Sequence, residues 1–286
     1  MMKKQVAVAI PASVVEDTPH LREKTAKIGY IARSCAIFRV NEIIVYADKL
    51  RFNQKRDVDF ISLLLRYLET PQYLRKRLFE LKPELQFAGI LPPLRTPNHP
   101  QQGNIRSLKV GDYREGIVIS KNEKAILADI GAEKPAVLIN NYQAEVNQRL
   151  TLKIVRVKAD QVEVQVASKE EVPEYWGYEV TEETRPLREW LENRKFDLTV
   201  GTSKLAPRFQ DVAGALASKW HKAHNVLLLF GAPSRGLFDI AKEEGVRIEA
   251  LVDFVINTVP EQGTETVRTE EALLATMAIF NEHFWA

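Results

Sequence analysis

Apolar positions along the chain follow two regimes. In residues 5–92, and again from about 170 to the end, short runs that are apolar at nearly every position alternate with stretches in which apolar residues recur every three or four positions. Runs of the first kind, at 6–10, 42–47, 196–200, 226–230 and 251–256, suit strands covered on both faces, as in a parallel sheet. WGYEV at 176–180 reads as a further strand. Between them, Leu21, Ile28, Ile31, Ala32 and Cys35 share one helical face, with Asp17 or Thr18 as cap and Pro19 in the first turn. Helices are also expected at 59–68, around Tyr73 to Leu78, at 186–193, and over Ala272, Leu273, Leu274, Met277, Ala278 and Phe280, where Thr266 or Thr269 is the cap. Alternation of strand and helix is the pattern that builds parallel sheets.

The second regime opens where Pro83, Pro92, Pro93, Pro97, Pro100 and Gly103 crowd a stretch of little periodicity. Beyond it come five short runs of strand character, at 113–120, 124–130, 135–139, 150–157 and 161–167. Lys121-Asn122, Gly131-Ala132 and Ala159-Asp160 mark turns between them. Five short strands without a long helix fit a small closed barrel, for which an OB-fold is the commonest candidate. The expected architecture is α/β: one discontinuous parallel-sheet domain, 1–92 and 170–286, interrupted by an inserted β-barrel at 93–169.

Two of the apolar runs, 226–230 and 251–256, lead straight into loops of small residues and then into helices. Ligands of parallel sheets sit at strand carboxyl ends. Gly231, Ala232, Pro233, Ser234 and Gly236, and later Gly263 and Thr264, let backbone N–H groups approach a bound molecule, and helix starts add positive partial charge. The two loops are therefore expected to form one small-molecule pocket. The glutamates at 270 and 271 suit the first turn of the last helix.

Composition narrows the choices only in places. The balance of 40 Lys and Arg against 38 Asp and Glu neither requires nor forbids a nucleic-acid partner. The local cluster Arg51, Lys55, Arg56, Arg75, Lys76 and Arg77, with Phe52, Tyr67 and Tyr73 interleaved, is either solvated surface or an RNA contact. A single cysteine, Cys35, excludes an internal disulfide framework and reads as core. The five histidines show no metal-like spacing, so no metal is expected. The basic start and apolar run at the N-terminus are cut short by Pro11, Glu16 and Asp17, and no stretch is long enough to span a bilayer; a cytoplasmic protein without a membrane partner is expected. Neither a P-loop nor GxGxxG occurs, Asp129-Ile130-Gly131-Ala132 lies among short strands with no helix after it, and Ser203 lacks a nucleophile elbow. Arg33 falls in the otherwise apolar part of the first helix, where it either pairs within the structure or faces a substrate.

Taken together, VAIPASVV at 8–15, ARSCAIFRVNEIIVY at 32–46, QYLRKRLF at 72–79, LQFAGILPPL at 85–94, WGYEV, GTS at 201–203 and, most specifically, PEQGTETVRTEEA at 260–272 span the chain. In these the sequence resembles the SPOUT class of knotted RNA methyltransferases, in particular the archaeal and eukaryotic branch with a barrel inserted into the methyltransferase domain. The resemblance implies a C-terminal trefoil knot, S-adenosylmethionine bound in a bent form, and a homodimer. Carried onto this chain, the cofactor-binding residues would be Phe230, Gly231, Ala232, Pro233 and Gly236 on the first loop. Ile256, Asn257, Thr258 and Pro260, then Gln262, Gly263, Thr264, Val267, Arg268 and Thr269, would supply the second.

The implied acceptor is a base of ribosomal RNA, with uridine N3 suggested. Methyl transfer from a sulfonium is chiefly a matter of in-line alignment, and a ring N–H acceptor also needs a base or a stabilised anion. Arg33 or Arg268 would stabilise the anion, and Glu265 or Glu270 would be the base. Lys55, Arg56, Arg75 and Arg77 would hold RNA together with the barrel. Two alternatives stand beside this: a methyltransferase acting on protein, because a cofactor pocket does not choose its acceptor, and a non-catalytic RNA-binding assembly factor on the same fold.

Overall fold

The computed structural model describes residues 4–285 except 101, 102, 104, 123, 124, 140–142 and 159, so Lys124 and Ala159 of the sequence expectations lie outside the described residues. In chain order, β1 (Gln5–Pro11) is followed by a short 3-10 turn and α1 (Leu21–Ile37), then β2 (Glu42–Tyr46), α2 (Lys55–Glu69) and α3 (Gln72–Leu78). Five strands come next: β3 (Tyr113–Lys121), β4 (Ile126–Asp129), β5 (Ala136–Leu138), β6 (Arg149–Val157) and β7 (Val162–Val166). The chain continues through β8 (Glu179–Glu183), α4 (Leu187–Asn193), β9 (Leu198–Thr202), α5 (Phe209–Lys222), β10 (Asn225–Leu229), α6 (Leu237–Glu243), α7 (Ile248–Leu251), β11 (Phe254–Ile256) and α8 (Thr269–Phe284).

The chain divides into two compact units, one of residues 1–66, 83–93 and 178–286 and one of 67–82 and 94–177. The first is built on a six-stranded sheet in the order β11-β9-β10-β1-β2-β8, parallel throughout. Its central strands carry the continuous apolar runs: Val8 to Ile10 and Val226 to Leu229 are fully buried, because helices cover both sheet faces. On one face Trp190, Leu187, Leu237 and Ile240 pack against Tyr46, Leu227 and Leu229. The last helix closes over an aromatic cluster in which Trp220 stacks on Phe284 at 5.1 Å and meets Phe280 edge-on at 5.4 Å. Each such ring contributes about 1.5–3 kcal/mol by burial. Cys35 is a buried core side chain whose thiol burial shifts upward, away from thiolate chemistry.

The second unit is a closed barrel, β3-β4-β5-β7-β6, antiparallel except for the parallel pair β5 and β7. Val118, Ala128, Ile154 and Val164 alternate inward to fill it. Asp129 and Gly131 belong here: Asp129 accepts from the Gly131 N–H at 3.0 Å in a tight turn.

Several boundaries differ from the sequence expectation. Residues 251–253 are not strand: α7 ends at Leu251, and Val252 docks in the core before β11 begins. WGYEV is not one strand: Gly177 takes φ +81, a left-handed turn, and β8 begins only at Glu179. Helix α1 starts at Leu21 rather than after Asp17, since Asp17 is drawn into an ion pair with Lys27 at 2.5 Å.

Candidate functional site

At the carboxyl ends of β9, β10 and β11 the chain forms a cavity of ≈ 130 Å³. Both small-residue loops reach it. The first, after β10, is fixed at its root, where the Phe230 N–H donates to the Ala9 carbonyl and the Phe230 carbonyl accepts from the Tyr46 hydroxyl at 2.7 Å. Gly231 follows in a crowded turn: a Cβ there would lie 3.0 Å from Leu237 N and 3.1 Å from both Arg235 O and Gly236 Cα, all of them backbone-borne atoms that cannot swing away. The Ala232 N–H donates to the Arg235 carbonyl, and the Gly236 N–H is capped by Asp239 at the start of α6.

The second loop is held mainly by its own side chains. Asn257 accepts from the Val259 N–H at 3.0 Å and donates to the Lys204 carbonyl at 3.1 Å. Thr258 shares a buried hydrogen bond of 2.8 Å with Thr276 of α8. Gln262 donates to the carbonyls of Thr264 and Glu265, and Lys204 donates to the Glu265 carbonyl at 3.0 Å. Thr269, the first residue of α8, joins the loops by donating its hydroxyl to the Gly231 carbonyl at 2.9 Å. The cap is not a threonine: the Arg268 N–H is received by Glu271, which gives that glutamate its structural role.

Of the sequence-expected cofactor residues, the cavity is lined by Phe230, Gly231, Ala232, Pro233 and Gly236 from the first loop. From the second it takes Ile256, Asn257, Thr258, Gln262, Val267 and Thr269; Pro260, Gly263, Thr264 and Arg268 are not in its wall. Thr202, Ser203 and Lys204 at the end of β9 also line it, and the GTS motif was the signal for the first two. Lys204 is the one charged side chain among the described lining residues. The walls thus combine small and apolar surface, threonine hydroxyls and a single cation.

None of the four expected catalytic side chains lines the cavity. Arg33 donates to the Pro93 carbonyl at 3.1 Å. Arg268 is largely exposed, 3.9 Å from Asp17. Glu265 is exposed on the loop that Lys204 pins. Glu270 turns toward Lys27, at 3.7 Å, and burial raises its pKa. Asp17 titrates low although burial opposes it, because Lys27 and Thr18 hydrogen-bond its carboxylate.

The expected RNA-binding cations fall in different settings. Lys55 and Arg56 are exposed at the start of α2, with Lys55 paired to Asp59 at 3.0 Å. Arg75 is committed to its own unit: it donates to the Thr70 and Leu68 carbonyls and lies 4.6 Å over the Tyr67 ring. Arg77 is half exposed and paired with Asp129 at 3.2 Å.

Residues 5–280 match the family model described as "Putative RNA methyltransferase". The chain belongs to this RNA methyltransferase family. Among relatives, the 28S rRNA (uridine-N(3))-methyltransferase of Mus musculus is 31% identical over 96% of this chain and 75% of its own length. The human protein of that name is 30% identical over 96% of this chain and 77% of its own length. An uncharacterized protein of Haloarcula marismortui is 31% identical over 95% of this chain and 96% of its own length. The methyltransferase is therefore an enzyme whose site must hold a methyl donor beside an acceptor. Among the described residues no helix is long and apolar enough to cross a membrane, and no group of three His, Cys, Asp or Glu side chains is placed to hold a metal ion.

Proposed function

We propose that this methyltransferase transfers a methyl group from S-adenosylmethionine to N3 of a uridine in ribosomal RNA. The observation that carries the reading is the likeness to the two 28S rRNA (uridine-N(3))-methyltransferases, which runs through both loops of the cavity. It also favours RNA over a protein acceptor, and turnover over a purely structural role.

The residues present fit the cofactor. Ile256, Val259, Val267 and Ala272 offer apolar walls for a flat ring, and Lys204 offers a cation to the methionyl carboxylate. When bound, the cofactor supplies an electrophilic methyl group. The chain's own part is alignment: a cavity wall without a carboxylate does not compete for the sulfonium, and loops held by Thr269, Asn257 and Gln262 keep the donor fixed while the base approaches in line. Methylation of a uridine at N3 would also require that the N3 proton be taken up by a group of this chain or by solvent. Glu265 is the base favoured here, because it sits on the loop pinned by Lys204 while Glu270 turns to Lys27. Arg268, exposed at the cap of α8, is the cation for the developing charge on the uracil. Arg33 is assigned to holding Pro93, whose carbonyl it reaches at 3.1 Å.

The finer fold assignment is part of the same proposal: a SPOUT domain with a C-terminal trefoil knot, a homodimer that completes a small cavity, and an OB-like barrel that holds RNA. The five-stranded closed barrel and the tie from Thr269 to Gly231 support it. Lys55 and Arg56 are the exposed cations kept as RNA contacts, with Arg77 after displacement of Asp129.

Titration with S-adenosylmethionine by calorimetry, followed by labelled methyl transfer to ribosomal RNA and digestion to nucleosides, tests the reading. Incorporation recovered as 3-methyluridine is expected; a folded protein that binds the cofactor and leaves ribosomal RNA unlabelled overturns it. Glu265→Gln is expected to lower kcat by about 100-fold, and an unaltered kcat removes that residue from the mechanism without touching the rest.

A further inference from the structure

A second cavity opens on the same rim of the sheet. It measures ≈ 330 Å³ and is lined by the segments that follow β2 and β8, among them Lys49, Leu50, Phe52, Gln54, Lys55 and Arg185. In the strand order, β2 and β8 lie across β1 from the strands that carry the cofactor loops. At roughly 4.8 Å per strand, the two cavities are on the order of 15 Å apart, a span that a few nucleotides of single-stranded RNA cover. We propose that this cavity is a nucleotide subsite for the substrate strand, stacking a base on Phe52 and receiving the adjoining phosphates at Lys55 and Arg185.

Phe52 is 70% exposed and Leu50 47%, large apolar side chains left at the mouth of a basic cavity. Lys49 lies 5.8 Å from the Phe52 ring centroid, so aromatic and cationic surface stand side by side. That pairing is how single-stranded nucleic acid is gripped without reading sequence: a π face for the base, cations for the backbone. Each cation already has a carboxylate beside it, Glu16 for Lys49, Asp59 for Lys55 and Glu183 for Arg185. Those pairs hold the side chains in place and use only part of their donors, three on an ammonium and five on a guanidinium. The Lys55–Asp59 pair is exposed and screened by solvent, so it holds its partners weakly and a phosphate displaces the carboxylate.

The floor of the cavity is rigid and reaches the cofactor loop. Gln54 donates to Asp48 at 3.1 Å and accepts from the Asp48 and Lys49 N–H groups. Asp48, fully buried, also accepts from Ser13 at 2.6 Å and lies 3.9 Å from Arg235, between Gly231 and Gly236. A nucleotide seated on this floor therefore rests on the same buried polar chain that steadies the donor side. The proposal rests on the preceding section's reading that the acceptor is RNA and that the first cavity holds the donor.

The test uses the full chain and a fluorescein-labelled ten-residue oligouridylate. Phe52→Ala is expected to weaken binding roughly tenfold without changing its salt dependence, Phe52→Trp to retain it, and Lys55→Ala with Arg185→Ala to flatten the salt slope. S-adenosylmethionine affinity should stay at the wild-type value in Phe52→Ala, whose side chain is surface. No binding of the oligonucleotide by wild type, or equal affinity of wild type and Phe52→Ala, overturns the subsite. A wild-type protein that transfers no methyl group to ribosomal RNA overturns the proposed function instead, so the two failures are read in different measurements.

Discussion

In the sheet unit the interiors of β1 and β10 are apolar and polar side chains gather where strands end, whereas the barrel unit buries charge against the outer face of β3 and β6, opposite its apolar interior. Arg149 donates to Glu115 at 2.6 Å and to both carboxylate oxygens of Glu69, at 2.7 and 3.0 Å. Glu115 also accepts from Thr151 and from the Trp176 indole, and Asn98 donates to Glu69. Both carboxylates are nearly inaccessible, at 2% and 7% exposure. Burial raises the Glu69 pKa, and the Arg149 guanidinium opposes that shift. In one unit polar side chains line a cavity; in the other they clasp the fold. Charged residues of the barrel unit are thus not RNA contacts by virtue of their charge alone.

The sharpest way to break this contrast is Arg149→Met. It leaves two buried carboxylates without their cation, and a loss of about 3–5 kcal/mol is expected in denaturant unfolding; a near-neutral result would mean that the cluster does not hold Glu69 to β3 and β6. Gly231→Val should lower S-adenosylmethionine affinity at least tenfold, about 1.4 kcal/mol, because its Cβ meets backbone atoms at 3.0–3.1 Å. Gly263→Ala is the control: nothing lies within 4 Å of a Cβ there, so any loss of affinity reports the ligand itself. Thr269→Val removes the hydrogen bond between the loops and should cost about 1 kcal/mol, seen as weaker cofactor binding with little change in barrel unfolding.

The smallest effect at neutral pH belongs to His99. Burial pushes its pKa from 6.5 down to about 4, against its hydrogen bond to the Glu69 carbonyl. A neutral histidine in the fold that protonates more readily when unfolded gives stability that is complete above pH 6.5 and declines as pH falls toward 4. His99→Gln should flatten that decline, followed by thermal unfolding across the range, and leave stability at pH 7.5 unaltered; an unchanged acid limb would clear His99 of any part in it.

Much of this was legible in the sequence because a parallel sheet writes its strands as unbroken apolar runs and closes them with small residues. The runs at 6–10 and 226–230 and the meeting of the two loops follow directly from that physics, and the barrel strands follow from short runs set between turn residues. Lys204 was missed because a lysine after a strand is ordinary surface until the second loop folds against it. The network of Glu69, Asn98, Glu115, Arg149 and Trp176 was invisible, since its members are scattered along the chain and only packing of the end of α2, Asn98 and Trp176 against the outer face of β3 and β6 brings them together. Arg75 looked like its neighbours in LRKR, yet carbonyls of Leu68 and Thr70 claim it. At Gly236 and Gly263 a Cβ would meet only Asp239 at 3.8 Å or nothing, so the chain's own packing does not demand glycine there.

The register of the central sheet sets an order of events during synthesis. Ala7 pairs with Leu227, so β1 leaves the ribosome with one of its two partners most of the chain away. Contacts of such sequence separation form slowly, while the barrel strands close among neighbours. The first strand must wait as an unpaired apolar edge, which is the form of nascent chain that aggregates or recruits a chaperone. Pulse-labelled hydrogen exchange during refolding should find the amides of β3 and β6 protected before those of β1 and β10.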